Sequence, residues 1–375
     1  MFDMVSSGGI DQMKLAILAA RNSIHTVRWV NALAERGHEV YLLSIQKGGD
    51  TLDERVKVYY LPVATPAGYY FNAWTVKKLL STLKPDILHA HYASGYGTLG
   101  RLSGFHPYIL SVWGSDVYDF PLKSPVHKKI IVRNLRAADW LCSTSHVMKD
   151  QTLSLFFTPN ISVIPFGIDT KKFNKIIDQR TDKEEIVVGT VKTLAPEYGI
   201  DILIRAFAAA RESMIKGNYK DAAKLRLLIV GGGPDKTKLK NLALELDIAD
   251  ITTFCGRVPH EEVPKYLNSM DIYVAVSVSE SFGVAIIEAS ACGLPVIVSD
   301  VGGLPEVVVA NKTGLIVRRE DVSGTAEAII KLVRDRDLRE QMGLNGRLHV
   351  QENYEWSKNV SHMEEVYANV IRMKR

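Results

Sequence analysis

The chain has few cysteines, no long apolar run and no internal repeat. Its three cysteines, Cys142, Cys255 and Cys292, lie far apart in apolar surroundings. That spacing encodes neither a disulfide framework nor a metal-binding cluster, and reduced core thiols of a cytoplasmic protein are expected. No stretch of about 18 uncharged apolar residues occurs, so no transmembrane helix is expected. Residues 1–12, MFDMVSSGGIDQ, lack the basic start and apolar core of a secretory signal. They read as an N-terminal extension ahead of a fold that begins at Met13. Low-complexity segments are absent as well.

Charge of either sign is also scarce in net terms. The chain carries 46 Lys and Arg against 42 Asp and Glu. The excess lies in the N-terminal half: residues 1–170 hold 17 basic and 13 acidic residues, and residues 171–375 hold 29 of each. It is concentrated in residues 123–136, KSPVHKKIIVRNLR, with five Lys or Arg and no acid. Such a segment suits either an anionic membrane surface or a solvated helix face. The excess is too small, and too bare of recognition motifs, for a nucleic-acid binder.

At 375 residues, with 46% hydrophobic and 23% charged residues, the chain suits a soluble protein of two domains. Lys14–Ala20, Val40–Ser44, Val56–Leu61, Ile87–Ala90, Tyr108–Val112 and Leu141–Ser143 read as short buried strands, most with helices between them. This alternation predicts a parallel sheet covered on both faces, with ligands at the carboxyl ends of its strands. A second series opens at Ile186–Val191, continues through Leu225–Val230 and Ile251–Val258, and reaches Asp271–Val278. The polar stretch 171–185 reads as the linker. Thr325–Val333, Asp337–Met342 and Asn359–Arg375 read as helices, the first capped by Ser323.

The most informative stretch is Ser279–Pro305, SESFGVAIIEASACGLPVIVSDVGGLP. It reads as loop, helix, strand and loop. The first amides of a helix have no internal partner and attract anions, so its start suits a diphosphate. Gly283 would let a phosphate approach the backbone. Glu280, just ahead of the helix, would repel phosphate but suits sugar hydroxyls. Glu288, about two turns into the helix, can reach another diol such as that of ribose. The bland alternative is a capped helix with two solvated glutamates.

The whole stretch closely resembles the E-x7-E segment of family 4 retaining glycosyltransferases, with Glu280 and Glu288 as its carboxylates. Gly293–Val296 and Gly302–Glu306 match the turns that follow. The resemblance is strongest over residues 186–317. It implies a GT-B fold, an α/β architecture of two Rossmann-like parallel-sheet domains facing a central cleft. On that basis residues 13–170 form the acceptor-side domain, 186–355 the nucleotide-sugar-binding domain, and 356–375 a helix returning toward the first.

The resemblance also implies site residues. Glu280 would contact the donor sugar and Glu288 the ribose, and the backbone of Ser281, Phe282, Gly283 and Val284 would hold the diphosphate. Lys192 is the cation available after the first strand of the second domain, where the family usually has an Arg and then a Lys-Gly; this chain has Lys192 and Tyr198. Arg257 and Val258 fall in the segment that lines the base pocket. In the first domain, the second His of His89-Ala90-His91 matches a family position near the reacting sugar. A neutral His91 could bond a sugar hydroxyl or orient the acceptor. Trp113-Gly114-Ser115-Asp116 stands where H-G-x-D is usual, which makes Asp116 an acceptor contact or a turn cap. The Gly-Gly pair common after the first strand is replaced by Arg21-Asn22-Ser23-Ile24-His25, so Asn22, Ser23 or His25 would contact phosphate or acceptor.

The expected reaction is transfer of a hexose from a nucleotide sugar, UDP-sugar first, to a saccharide or lipid-linked acceptor, with retention. No cofactor is expected. No metal is expected either, and no D-x-D pair sits in a suitable loop. A nucleotide-sugar-binding module without turnover and a UDP-sugar epimerase on the same fold are the alternatives. A role in cell-envelope polysaccharide synthesis, at the cytoplasmic face of a membrane, would fit the basic segment.

Overall fold

The computed structural model describes residues 12–176 and 185–374. Nearly all of the expected extension and the middle of the expected linker, residues 1–11 and 177–184, lie outside them.

Short apolar runs become the strands of two wholly parallel sheets. In the first unit these are β1 (Lys14–Leu18), β2 (Glu39–Ser44), β3 (Lys57–Tyr60), β4 (Ile87–His91), β5 (Tyr108–Ser111), β6 (Trp140–Ser143) and β7 (Ile161–Val163). Their order is β3-β2-β1-β4-β5-β6-β7. β4 and β5 are buried at every position, as strands of a sheet covered on both faces are, and the buried positions of β4 include His89 and His91. Leu88 and Leu110 pack under Val76, Leu80, Leu99, Ile131 and Leu135 of the covering helices. The order reverses between β1 and β4, and that reversal opens a crevice beyond their carboxyl ends.

The first unit comprises residues 1–165 and 358–375, so most of the helix Trp356–Lys374 belongs to it. Glu364 of that helix pairs with Arg36 and with His38 Nε2, the latter at 2.9 Å. Lys374 pairs with Asp139 at 2.9 Å. His89 joins the Tyr367 hydroxyl through Nδ1 (2.8 Å) and Ser111 Oγ through Nε2 (2.7 Å). Burial pushes the His89 pKa down to about 3 and that of His91 well below the usual histidine value. Unfolding frees both to bind protons below the ordinary value of 6.5. The unfolded chain therefore binds more protons between pH 6.5 and about 3, and stability falls as pH is lowered through that window. Unfolding midpoints measured across it should drop with acid, and His89→Asn should show a shallower slope.

The second unit comprises residues 166–357. Its strands are β8 (Ile186–Val191), β9 (Leu225–Val230), β10 (Thr252–Gly256), β11 (Ile272–Ala275), β12 (Val296–Ser299) and β13 (Gly314–Val317), in the order β10-β9-β8-β11-β12-β13. Val188, Leu227, Ile229, Val274 and Ile297 pack with Leu203, Phe207, Ile329 and Leu332. The expected boundary after Thr170 moves to Pro165. Phe166 packs on Phe282, Phe173 packs on His260, and the Ile168 amide donates to the Tyr354 carbonyl at 2.8 Å. Those contacts commit the segment to the second unit. Ser323 is not the cap that was expected: it lies inside the helix Val322–Arg334, whose N-cap Asp321 accepts from the Gly324 amide. The helix expected over Asp337–Met342 runs from Arg336 to Asn353.

Candidate active site

In the second unit the strand order reverses between β8 and β11. Lys192 follows β8 directly and Glu280 lies in the loop after β11. Their side chains form an ion pair, 10% and 14% exposed. Burial works against the Lys192 ammonium, but the Glu280 carboxylate, with Tyr273 and Tyr198 adding to it, holds the lysine pKa above its usual value. The Lys192 Nζ also lies over the Tyr198 ring, 4.8 Å from its centroid. The backbone around Lys192 is tied to the glycine turn after β9. The Lys192 amide donates to Val230 and the Leu194 amide to Gly232, and the Asp235 amide returns to Leu194 (all 3.0 Å).

The loop carrying Glu280 leads into the helix Val284–Ala291, whose N-cap Gly283 has φ +102° and no side-chain capping bond. Gly283 was expected for phosphate access; its left-handed backbone is a sufficient reason by itself, because a side chain there would be strained. Ile286 and Ile287 donate to the Gly283 carbonyl. The amides of Val284 and Ala285, one step earlier, have no acceptor within the helix. Phe282 is buried against Phe166 and Tyr354, so its ring belongs to the core and only its backbone can serve a ligand. Ser281 is half-buried.

Gly302 fixes the position of the Glu280 loop. At φ +50°, a Cβ there would fall 1.7 Å from the Glu280 carbonyl oxygen. Gly302→Ala is expected to cost about 1–3 kcal/mol more than a glycine change that meets no neighbour. Gly104→Ala supplies that comparison, since nothing lies within 4 Å of its added Cβ. Equal losses in denaturant titrations would refute the close-approach reading.

Glu288 is buried and pairs with His260 Nε2 at 2.9 Å. His260 was not among the residues expected from the sequence. Its signal was only its place two residues beyond Val258. Arg257 is exposed and Val258 half-buried, just past β10.

In the first unit His91 ends β4 at the reversal point. Its ring meets His89 edge-on at 4.5 Å and lies 4.7 Å from Trp113, which also faces His25 at 5.8 Å. His91 Nδ1 is buried without a hydrogen-bond partner. Desolvation keeps the imidazole neutral, with His89 and His25 adding to the effect. Asn22 is exposed and Ser23 half-buried in the loop after β1, Ser23 being the N-cap of the helix Ile24–Glu35. The expected acceptor role of Asp116 needs correction. Its carboxylate is fully buried and accepts from the amides of Ala93 (2.7 Å), Trp113 (3.1 Å) and Gly114 (2.8 Å). It braces the loops after β4 and β5, including Tyr92 at φ +77°. Burial raises its pKa, and those amides pull the other way.

Among the described residues, no group of three or more His, Cys, Asp or Glu could hold a metal ion. What the second unit does offer is a cation, a carboxylate and open helix amides at one strand reversal. Those groups can neutralise a diphosphate and bond the hydroxyls beside it.

Comparison with known proteins agrees with that chemistry. The family profile described as glycosyl transferases group 1 matches residues 171–349, and that of glycosyl transferase 4-like proteins matches residues 14–145. An N-acetyl-alpha-D-glucosaminyl L-malate synthase of Bacillus anthracis is 27% identical over 370 residues, spanning 91% of this chain and 91% of its own length. A GDP-mannose-dependent alpha-(1-6)-phosphatidylinositol monomannoside mannosyltransferase of Mycobacterium tuberculosis is 31% identical over 348 residues, spanning 86% of this chain and 88% of its own. Among solved structures, Anabaena HepE in complex with UDP and glucose superposes with a TM-score of 0.76 at 17% identity, covering 95% of this chain and 100% of that one.

Proposed function

The chain belongs to the group 1 glycosyl transferases, which use nucleotide sugars, and from that premise we propose that it transfers a hexose from a UDP-sugar to a saccharide or lipid-linked acceptor with retention of configuration. The fold is GT-B, with a Rossmann-like parallel sheet in each unit. The observation that carries the proposal is the Lys192–Glu280 pair beside the open amides of the helix Val284–Ala291.

In this reading the diphosphate settles on those amides and on the Lys192 ammonium. Glu280, released from the lysine, accepts from hydroxyls of the hexose. Glu288, oriented by His260, accepts from the ribose, and Arg257 and Val258 flank the base. The bond from the anomeric carbon to the diphosphate breaks, a bond to the acceptor oxygen forms, and the acceptor's proton leaves with the departing diphosphate. Positive charge fixed beside the leaving group stabilises the transition state. Because Lys192 and the amides meet that charge, the proposed reaction is metal-independent, and a chelator should leave it unchanged. His91, as a neutral imidazole, serves the acceptor side with Asn22, Ser23 and His25.

The Anabaena neighbour solved with UDP and glucose supports a UDP-hexose. GDP-hexose is the second reading, favoured by the name of the mycobacterial relative. A lipid-linked acceptor at an anionic surface is supported by the helix Pro125–Ala137. Lys128, Lys129, Arg133 and Arg136 are exposed on it, next to exposed Leu122 and Val126. Among the described residues, no helix is long and apolar enough to cross a membrane.

The test is a binding screen of UDP, GDP, ADP and their sugars, followed by transfer and hydrolysis assays on each ligand that binds. A selective donor with turnover, and an anomeric proton coupling matching that of the donor, is the expected result. Binding without transfer or hydrolysis would replace the enzyme by a binding module, and inversion at the anomeric carbon would overturn retention.

A further inference from the structure

Lys192 has a long side chain that must stay aimed while its anionic partner changes from a carboxylate to a phosphate. The ion pair with Glu280 cannot do this, because it is the contact that a ligand displaces. The Tyr198 ring can. Its centroid lies 4.8 Å from the ammonium. A cation over an aromatic face at that distance is attracted by the ring quadrupole.

The turn is fixed independently of the lysine. Pro196–Tyr198 forms a single 3-10 turn, and the Tyr198 amide donates to Ala195 at 3.1 Å. The Glu197 carbonyl accepts from the Val278 and Ser279 amides at 2.8 and 3.2 Å, immediately ahead of Glu280. The ring itself packs against the core of the second unit. One short turn therefore contacts Lys192 through an aromatic face and the residues just ahead of Glu280 through a carbonyl. The contact that reaches Lys192 is the ring face.

We propose that Tyr198 is a positioning residue for the diphosphate site, holding the Lys192 ammonium in place as Glu280 gives way to the donor phosphates; this rests on the proposed nucleotide-sugar reading. The ring neither touches substrate nor exchanges a proton. It restricts the rotamers of Lys192, whose ordering by ligand alone would cost affinity.

The experiment uses the full chain with Tyr198→Leu and Tyr198→Phe. Calorimetric titration measures the nucleoside diphosphate, UDP or GDP, that the unaltered protein binds. Competition measures the corresponding nucleoside, uridine or guanosine. Tyr198→Leu should weaken the diphosphate by about 5- to 10-fold and leave the nucleoside within about twofold. Tyr198→Phe, which keeps the ring, should restore diphosphate affinity. An unchanged diphosphate affinity in Tyr198→Leu overturns the proposal, as does a Phe variant no better than Leu. Equal losses for nucleoside and diphosphate mark a collapsed loop and overturn it too. If the unaltered protein binds no nucleotide, the functional reading fails first and this proposal falls with it. Unaltered binding that Tyr198→Leu shares removes Tyr198 alone.

Discussion

Glu280→Gln is expected to lower glycosyl transfer by about two to three orders of magnitude while the nucleoside diphosphate binds at least as tightly as before. The two halves of this result have different origins. Without ligand, the Glu280 carboxylate occupies the Lys192 ammonium, so an incoming diphosphate must displace it. Glutamine has the same shape but no charge, which removes the competitor and frees the lysine for phosphate. The same change removes the charged acceptor proposed to hold the hexose hydroxyls, and that interaction matters most as the sugar departs from the diphosphate. Calorimetry with the diphosphate alone and initial rates with the complete donor separate the two effects. A parallel loss of binding and transfer would show that Glu280 does not compete for Lys192 and would sink its assigned role.

Lys192→Met should be damaging in a different way. It leaves the Glu280 carboxylate with little solvent and no cation, a situation that costs about 3 kcal/mol where a buried pair is broken from one side. It also removes the fixed charge proposed for the diphosphate, for an affinity loss on the order of 100-fold. The double variant Lys192→Met/Glu280→Gln should recover much of the stability, because the stranded charge has gone, yet none of the transfer. Unfolding midpoints of the two single variants and the double variant form a thermodynamic cycle. Simple additivity of the losses would mean that the two side chains are not coupled in solution.

Much of the fold was legible because parallel strands buried on both faces are written as short unbroken apolar runs. Ile186–Val191 and Leu225–Val230 are read from the sequence at the bounds the structure gives. Ile161–Val163 is not read as a strand from the sequence, being only three residues long and close to Pro165. Gly314–Val317, four residues long, was not read as a strand at all. The helix Arg336–Asn353 was cut short because polar side chains dominate it and few positions are buried. In the site, the seven-residue interval between Glu280, in the loop ahead of the helix, and Glu288, within it, brings both to notice. Spacing could not show that Lys192 and Glu280, 88 residues apart, would meet. Nor could it show that the Asp116 carboxylate would be spent on an amide 23 residues away. Such pairings arise when strand order brings distant loops to one end of a sheet, and a linear pattern carries no record of that order.

The assignment of residues 358–375 to the first unit bears on the order in which the protein is made. A chain emerging from the ribosome delivers β1 to β7 first, but His38, His89 and Asp139 in this unit each take one partner from the last helix. Synthesis therefore supplies every residue of the second unit before the first can be finished. The half that starts earliest waits longest, with a buried histidine and the surface meant for that helix uncovered in the meantime. A stop codon or proteolytic cut that removes Glu364 and Tyr367 would then harm the first unit more than the second.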